Sequence, residues 1–322
     1  MIHRRPMLAW PLAVPLALPA LQSRAQGVSF ADRPIRMVIP RAPGGGTDIL
    51  IRTLVPAVSA LLRQTIVVEN RPDATAIVGA EFVSRSAPDG YTILACDNAF
   101  YFNPAIIPRL PFDTLGDFAA ISMLAQAPVV LILGPQVPAA NLAELIALAK
   151  AQPGRLSFAS GGIGSSTHFT GVMLQLQAGI ELIHVPYRSS GPALTALMSG
   201  EVSMNIGGFA ASGQLIRAGS VRAIAKTTDG VDPSIPTFTA AGLPGVEVAS
   251  LWGLHARIGT PLPIRQAIAD AFRTAMAEPA MRERLQTMGY QPINNTPEEH
   301  EAQTRAVVAQ WVEIGRRVNL NQ

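Results

Sequence analysis

Short apolar runs alternate along this chain with stretches whose apolar positions recur every three to four residues. Residues 35–39, 66–69, 91–95, 156–159, 183–185, 202–206 and 251–256 read as strands. Residues 49–62, 77–86, 264–276 and a stretch from 297 to about 318 read as helices. Pro56 lies inside the first helix and predicts a kink or an early end there. Asn141 with Glu144 marks a helix start that Pro153-Gly154 stops, and Thr296-Pro297-Glu298-Glu299 combines an N-cap, a first-position proline and a capping box. Residues 103–111 read as irregular. The alternation predicts an α/β fold of mostly parallel sheets flanked by helices. Two apolar stretches, 121–133 and 221–226, read as crossings between units, which divides the chain into 26–125 with 228–322 and a middle unit, 126–227.

Three strand–turn–helix junctions repeat one chemistry. The first is Pro40-Arg41-Ala42-Pro43-Gly44-Gly45-Gly46-Thr47-Asp48. The second runs from Ser160 through Gly161-Gly162-Ile163-Gly164 to Ser165-Ser166-Thr167-His168, and the third is Pro186-Tyr187-Arg188-Ser189-Ser190-Gly191-Pro192. Glycine turns expose backbone N–H groups, and helix starts add unpaired donors and the positive end of a dipole, so each junction suits an anion. A purely structural turn uses the same residues. Neither a phosphate-binding Gly-Lys-Ser/Thr nor a G-x-G-x-x-G is present, which speaks against a nucleotide. Open α/β sheets bind ligands beyond the carboxyl ends of their strands, so two facing units would aim the junctions into one cleft.

Composition changes the picture at the N-terminus. Residues 1–25 have a basic start, an apolar run broken by Pro11, Pro15 and Pro19, and small residues before about Ala25, the pattern of an export signal. Arg4-Arg5 admits either the general or the twin-arginine route. Its removal takes three arginines and no acid, bringing Lys plus Arg from 25 to 22 against 22 Asp plus Glu. The mature chain then carries no nucleic-acid footprint. No later stretch is apolar for long enough to span a bilayer. Cys96 is a lone cysteine, read as a buried hydrophobe, and the four mature histidines show no metal-ligand spacing, so no metal or cofactor is expected. Ser165, Ser166, Thr167 and His168 suggest a serine-dependent hydrolase only until its other parts are sought: no G-x-S-x-G elbow exists and His168 has no assignable acid. Trp252 and Trp311 are assigned to the core or to the surface between units.

Residues 35–40, followed by Ala42-Pro43-Gly44-Gly45-Gly46-Thr47-Asp48, resemble the Bug family, the extracytoplasmic solute-binding proteins of tripartite tricarboxylate transporters. The likeness continues through Val68-Glu69-Asn70-Arg71-Pro72, Ala87-Pro88-Asp89-Gly90-Tyr91-Thr92, Gly164-Ser165-Ser166-Thr167-His168, His184-Val185-Pro186-Tyr187 and Ala241-Gly242-Leu243-Pro244-Gly245. The resemblance implies a two-domain, type II-like periplasmic-binding-protein fold that closes by hinge motion on a small carboxylate and performs no catalysis. It further implies a periplasmic location and membrane-transporter subunits as partners; a monomer is expected. A sensor that closes without delivering its ligand fits the same residues. The implied site is Arg41, Pro43, Gly44, Gly45, Gly46, Thr47 and Asp48 facing Ser165, Ser166, Thr167, His168, Tyr187, Arg188, Ser189 and Gly191. Departures from the family lie in the cleft: Arg41 replaces an aromatic residue, residues 73–77 lack the usual glycines, Arg188-Ser189 replaces Lys-Gly, and Gly207-Gly208 replaces an acidic position. With Arg41 and Arg188 both turned inward, two guanidinium groups would favour a di- or tricarboxylate over an amino acid.

Overall fold

A computed structural model describes residues 33–73 and 75–318 of the chain; the predicted export signal lies outside them. The first half contains β1 (Ile35–Ile39), α1 (Gly46–Leu62), β2 (Ile66–Asn70), α2 (Ile77–Ser84), β3 (Thr92–Cys96) and α3 (Asn98–Ile106). A long strand, β4 (Phe118–Leu133), leads into α4 (Leu142–Ala151), β5 (Ser157–Ser160), α5 (Ser166–Ala178), β6 (Ile183–Pro186), α6 (Ser190–Ser199), β7 (Met204–Gly208), α7 (Phe209–Arg217) and β8 (Arg222–Lys226). The chain returns through β9 (Ala249–Arg257), α8 (Leu262–Ala277), α9 (Pro279–Thr287), β10 (Gln291–Pro292) and α10 (Pro297–Val318).

The strand order is β2-β1-β3-β9-β4-β7-β5-β6, with β8 and β10 also paired to β4. Parallel pairing joins β1 to β2 and β3, and β5 to β6 and β7. Around β4 and β9 the pairing is antiparallel, so each sheet is parallel at its outer side and antiparallel toward the middle of the molecule. The first half of β4 pairs with β9 up to Pro128, and its second half pairs with β7 and β8 from Val129 on. One strand therefore belongs to both lobes.

Alternation along the strands builds a core on each face of each sheet. Val129, Leu131 and Leu133 enter one cluster with Leu142, Leu145, Phe158 and Leu174. Val130 and Ile132 enter another with Ala193, Leu197 and Phe209. In the first lobe Met37 and Ile39 pack with Leu50, Leu54 and Phe272, while Val38 turns to Phe100, Tyr101 and Phe102. Where the lobes meet, Trp311 of α10 stands 4.0 Å from the Phe102 ring of α3 and 4.5 Å from the Phe169 ring of α5.

Several elements differ from the reading of the sequence. Helix α1 runs unbroken through Pro56, which lies with Arg52, the residue one turn before it, on the exposed face of the helix. The first residues of the stretch 103–111, read as irregular, belong as far as 106 to helix α3, which Asp97 caps by accepting from the Ala99 amide at 3.0 Å. The return between lobes is not at 221–226. There β8 pairs with the second half of β4, and residues 228–248 stay with that lobe, Phe238 and Val246 being buried in its core. The chain recrosses at Ala249, opposite Pro128. The predicted capping box is present at Thr296/Glu299, and at the predicted start of α4 Asn141 accepts from the Glu144 amide while the Glu144 carboxylate accepts from the Ala140 amide.

The described histidines are held neutral. Burial lowers the His300 pKa to about 3, lowers that of His255 well below its usual value, and takes His168 to about 4 and His184 to about 3. The unfolded chain takes up protons near pH 6.5 that the folded one refuses, so stability is complete above that pH and declines toward the folded values. Thermal unfolding is predicted to show the midpoint falling steadily from pH 7 to pH 5, with His255 and His300 each contributing roughly 2 kcal/mol of the loss at pH 5. A midpoint that is flat across this range contradicts it.

Candidate functional site

The carboxyl ends of β1, β3, β5, β6 and β7 all lead into helices, and the starts of those five helices line one polar cleft between the lobes. Gly45, Gly46 and Thr47 come from α1, Asp97 and Asn98 from α3, and Ser165, Ser166 and Thr167 from α5. Ser189 and Ser190 of α6 and Gly208 before α7 complete the ring, with Ser250 and Trp252 of β9 and Arg41. The space is about 450 Å³, part of it open to solvent.

Three of the five helix starts have no side-chain cap: those at Gly45, Ser189 and Gly208. Gly45 and Gly208 have no side chain that could supply one. Their first-turn N–H groups thus retain donor capacity toward the cleft, and each dipole end favours an anion by about 0.3–1 kcal/mol, up to ~2 kcal/mol where partly buried. At α5, by contrast, Ser165 accepts from the His168 amide at 3.2 Å and donates to the Gly162 carbonyl at 2.6 Å. Thr167 Oγ1 accepts from the Gly161 amide at 2.8 Å.

The lobes are in direct contact around this space. The Ala42 amide donates to the Arg188 carbonyl at 3.2 Å, and Ser189 donates to the Pro43 carbonyl at 3.4 Å. Ser166 and Ser250 share a hydroxyl–hydroxyl bond of 2.7 Å. Glycine is needed at two close approaches: within the first lobe a Cβ on Gly46 would stand 2.8 Å from the Trp252 ring, and across the seam one on Gly191 would stand 3.2 Å from the Gly44 carbonyl.

Arg41 is 2% exposed, not a rim residue. Its Nε lies 2.8 Å from Asp97 Oδ2, and a second nitrogen lies 3.5 Å from Oδ1. Asp48 sits behind the wall, accepting from the Gly44 amide at 3.1 Å, Arg52 at 2.8 Å and Asn70 at 3.0 Å, and so shapes the glycine turn. His168 also lies behind, stacked 4.3 Å from His184, which stacks in turn 4.7 Å from Phe158. Tyr187 bonds Glu201 in an outer groove shared with Pro43 and Gly191. Arg188 is exposed, and the inward guanidinium expected of it is not found, because its carbonyl is the group that meets the facing loop. Of the fifteen expected residues, those lining the cleft are Arg41, Gly45, Gly46, Thr47, Ser165, Ser166, Thr167 and Ser189, with Gly44 and Gly191 in contact at its edge.

The expected site lacks Asp97, Asn98, Gly161, Ser190, Ser250 and Trp252, and Gly208 was expected only as a departure in the cleft. Asp97-Asn98 was legible, since it follows an apolar strand as an N-cap pair does. Ser250 and Trp252 carry no local signal; they reach the cleft because β9 pairs with β3 and β4. Among the described residues no group of three or more His, Cys, Asp or Glu side chains stands close enough to hold a metal ion. Cys96 is buried and its thiol is pushed up to about 12 by that burial, so it behaves as a hydrophobe. Among the described residues no helix is long and apolar enough to cross a membrane.

Two α/β lobes joined by a shared strand, with helix starts converging on the gap, define a periplasmic-binding-protein fold. Residues 50–320 match the model of the tripartite tricarboxylate transporter family receptor. BugT of Bordetella pertussis is 31% identical over 290 residues, 88% of each chain. A Rhodopseudomonas palustris protein solved with adipate superposes with a TM-score of 0.84 at 27% identity, over 88% of this chain and 97% of that one. MatC of the same organism, solved with bound malate, gives 0.83 at 28% identity, over 89% and 100%. The chain belongs to the tripartite tricarboxylate transporter receptor family, and it is similar to BugT over most of its length.

The buried pair generates a prediction. Arg41→Phe leaves the Asp97 charge without its guanidinium and is predicted to lower unfolding free energy by about 3–5 kcal/mol. Adding Asp97→Asn, which keeps the N-cap, is predicted to recover more than half of that loss. Urea denaturation checks both, and an unchanged midpoint for Arg41→Phe contradicts the pairing.

Proposed function

We propose that this protein is an extracytoplasmic receptor that captures a small organic acid between its lobes, closes on it, and delivers it to a tripartite tricarboxylate-type transporter. The observation that carries the reading is the convergence of five helix starts on one cleft, three of them without side-chain caps. Such an arrangement binds a carboxylate through backbone donors alone. The adipate and malate complexes of the two relatives support the ligand class. The earlier reason for preferring a di- or tricarboxylate, two inward guanidinium groups, falls away: Arg188 is exposed and Arg41 is matched by Asp97.

Closure follows from the placement of the donors. A ligand drives a two-state hinge only by binding the closed state better, and donors from both lobes supply that difference. On this reading the hinge lies where the chain passes between lobes, within β4 near Pro128 and at the start of β9 near Ala249. The units are accordingly 33–127 with 249–318, and 128–248. Residues 1–25 serve as the export signal that brings the receptor to the periplasm.

Gly45 tests closure directly. Its backbone angle of −82° suits any residue, but a Cβ would stand 3.0 Å from the Ser189 Cβ of the facing lobe. Gly45→Val is predicted to hold the lobes apart, giving a larger radius of gyration by X-ray scattering. It should also weaken the tightest-binding small carboxylate in calorimetry by at least about tenfold. Wild-type compaction and affinity in this variant would sink the closure claim, and absence of any carboxylate binding by the wild type would sink the ligand class.

A further inference from the structure

We infer that Asp97 selects the ligand: the cleft takes a monocarboxylate that also bears a hydrogen-bond donor, an ammonium or a hydroxyl, in preference to a dicarboxylate of the same length. This rests on the reading of the cleft as a carboxylate site.

Among the described residues that line the cleft, Arg41 and Asp97 carry the side-chain charges, and they are paired at 2.8 Å. Their formal charges cancel. The ligand's charge is therefore balanced by helix dipoles, each worth about half an elementary charge. Three starts without side-chain caps suit one carboxylate. A second carboxylate would bring an excess anion into a narrow, partly dehydrated space, where like charges interact more strongly than in water.

The wall of that space is itself acidic at Asp97. Its Oδ2 accepts from Arg41 Nε at 2.8 Å, and its Oδ1 from the Ala99 amide at 3.0 Å and, at 3.5 Å, from Arg41. A carboxylate offers about four acceptor sites, so capacity remains, and the side chain keeps 16% exposure at the cleft. The serine hydroxyls around it either donate or accept and do not discriminate. An ionised Asp97 only accepts. A ligand donor beside it gains a charge-assisted bond, whereas a ligand carboxylate there meets a like charge. Arg41 is the positioning residue, holding the Asp97 carboxylate in the wall and removing the cation that a second ligand carboxylate would need.

Matched acids separate the possibilities by calorimetry. The four-carbon set is succinate, 4-aminobutanoate, 4-hydroxybutanoate and butanoate; the three-carbon set is malonate, alanine, β-alanine and lactate. At least one amino or hydroxy acid is predicted to bind about tenfold or more tighter than the dicarboxylate of its length. The amino and hydroxy arms tell which donor is used. In Arg41→Gln/Asp97→Asn, which removes both charges and keeps the cap, that preference is predicted to fall by about tenfold. A dicarboxylate that binds as tightly as its amino and hydroxy counterparts overturns the inference while leaving the carboxylate reading intact. So does a preference unchanged in the double variant, and the wild-type comparison decides even if that variant does not fold. Failure of every acid to bind overturns both.

Discussion

Strand β4 constrains everything else in this molecule. It is buried over nearly its whole length, and its two halves pair with strands of different lobes. A single extended segment paired along both its halves cannot slide or shorten without breaking both sheets. It therefore sets the lobes edge to edge. Because the parallel strands on either side end toward the seam, the helices that follow them begin there. The cleft is a consequence of this topology before any side chain is considered.

Side chains then tune what the topology provides. Asp48 spends its oxygens on Gly44, Arg52 and Asn70, and so locks the glycine turn that presents the start of α1. Trp252 lies against Gly46, and Tyr290, which donates to the Gly46 carbonyl at 2.7 Å, packs edge-on to Trp252 at 5.0 Å. Arg41 and Asp97 form the charged part of the wall, with a net charge of zero. On the proposed reading, an anion held mainly by backbone dipoles would meet a site with little reorganisation to undergo, because those dipoles are fixed by the helices that carry them.

The fold and much of the lining of the candidate cleft were legible in the sequence. Each strand-to-helix junction is local, so the glycines at 44–46 and the serines at 165–166 announce themselves by spacing. What is not local was not legible. Ser250 and Trp252 enter through antiparallel pairing of β9. Side-chain direction was also hidden. His168 and Asp48 belong to the right junctions but turn behind the wall, one onto His184 and the other into the turn it stabilises. The return crossing was misplaced because residues 221–226 are apolar for pairing with β4 inside the second lobe, a reason that periodicity does not distinguish from a crossing.

The most direct measurement is a crystal structure of the protein grown with the tightest-binding acid that calorimetry identifies. The account predicts a carboxylate in the cleft, its oxygens within hydrogen-bonding distance of backbone N–H groups at the start of α1 and at the start of α6 or α7, one lobe on each side. A ligand seated on another surface, or held by one lobe only, would contradict it.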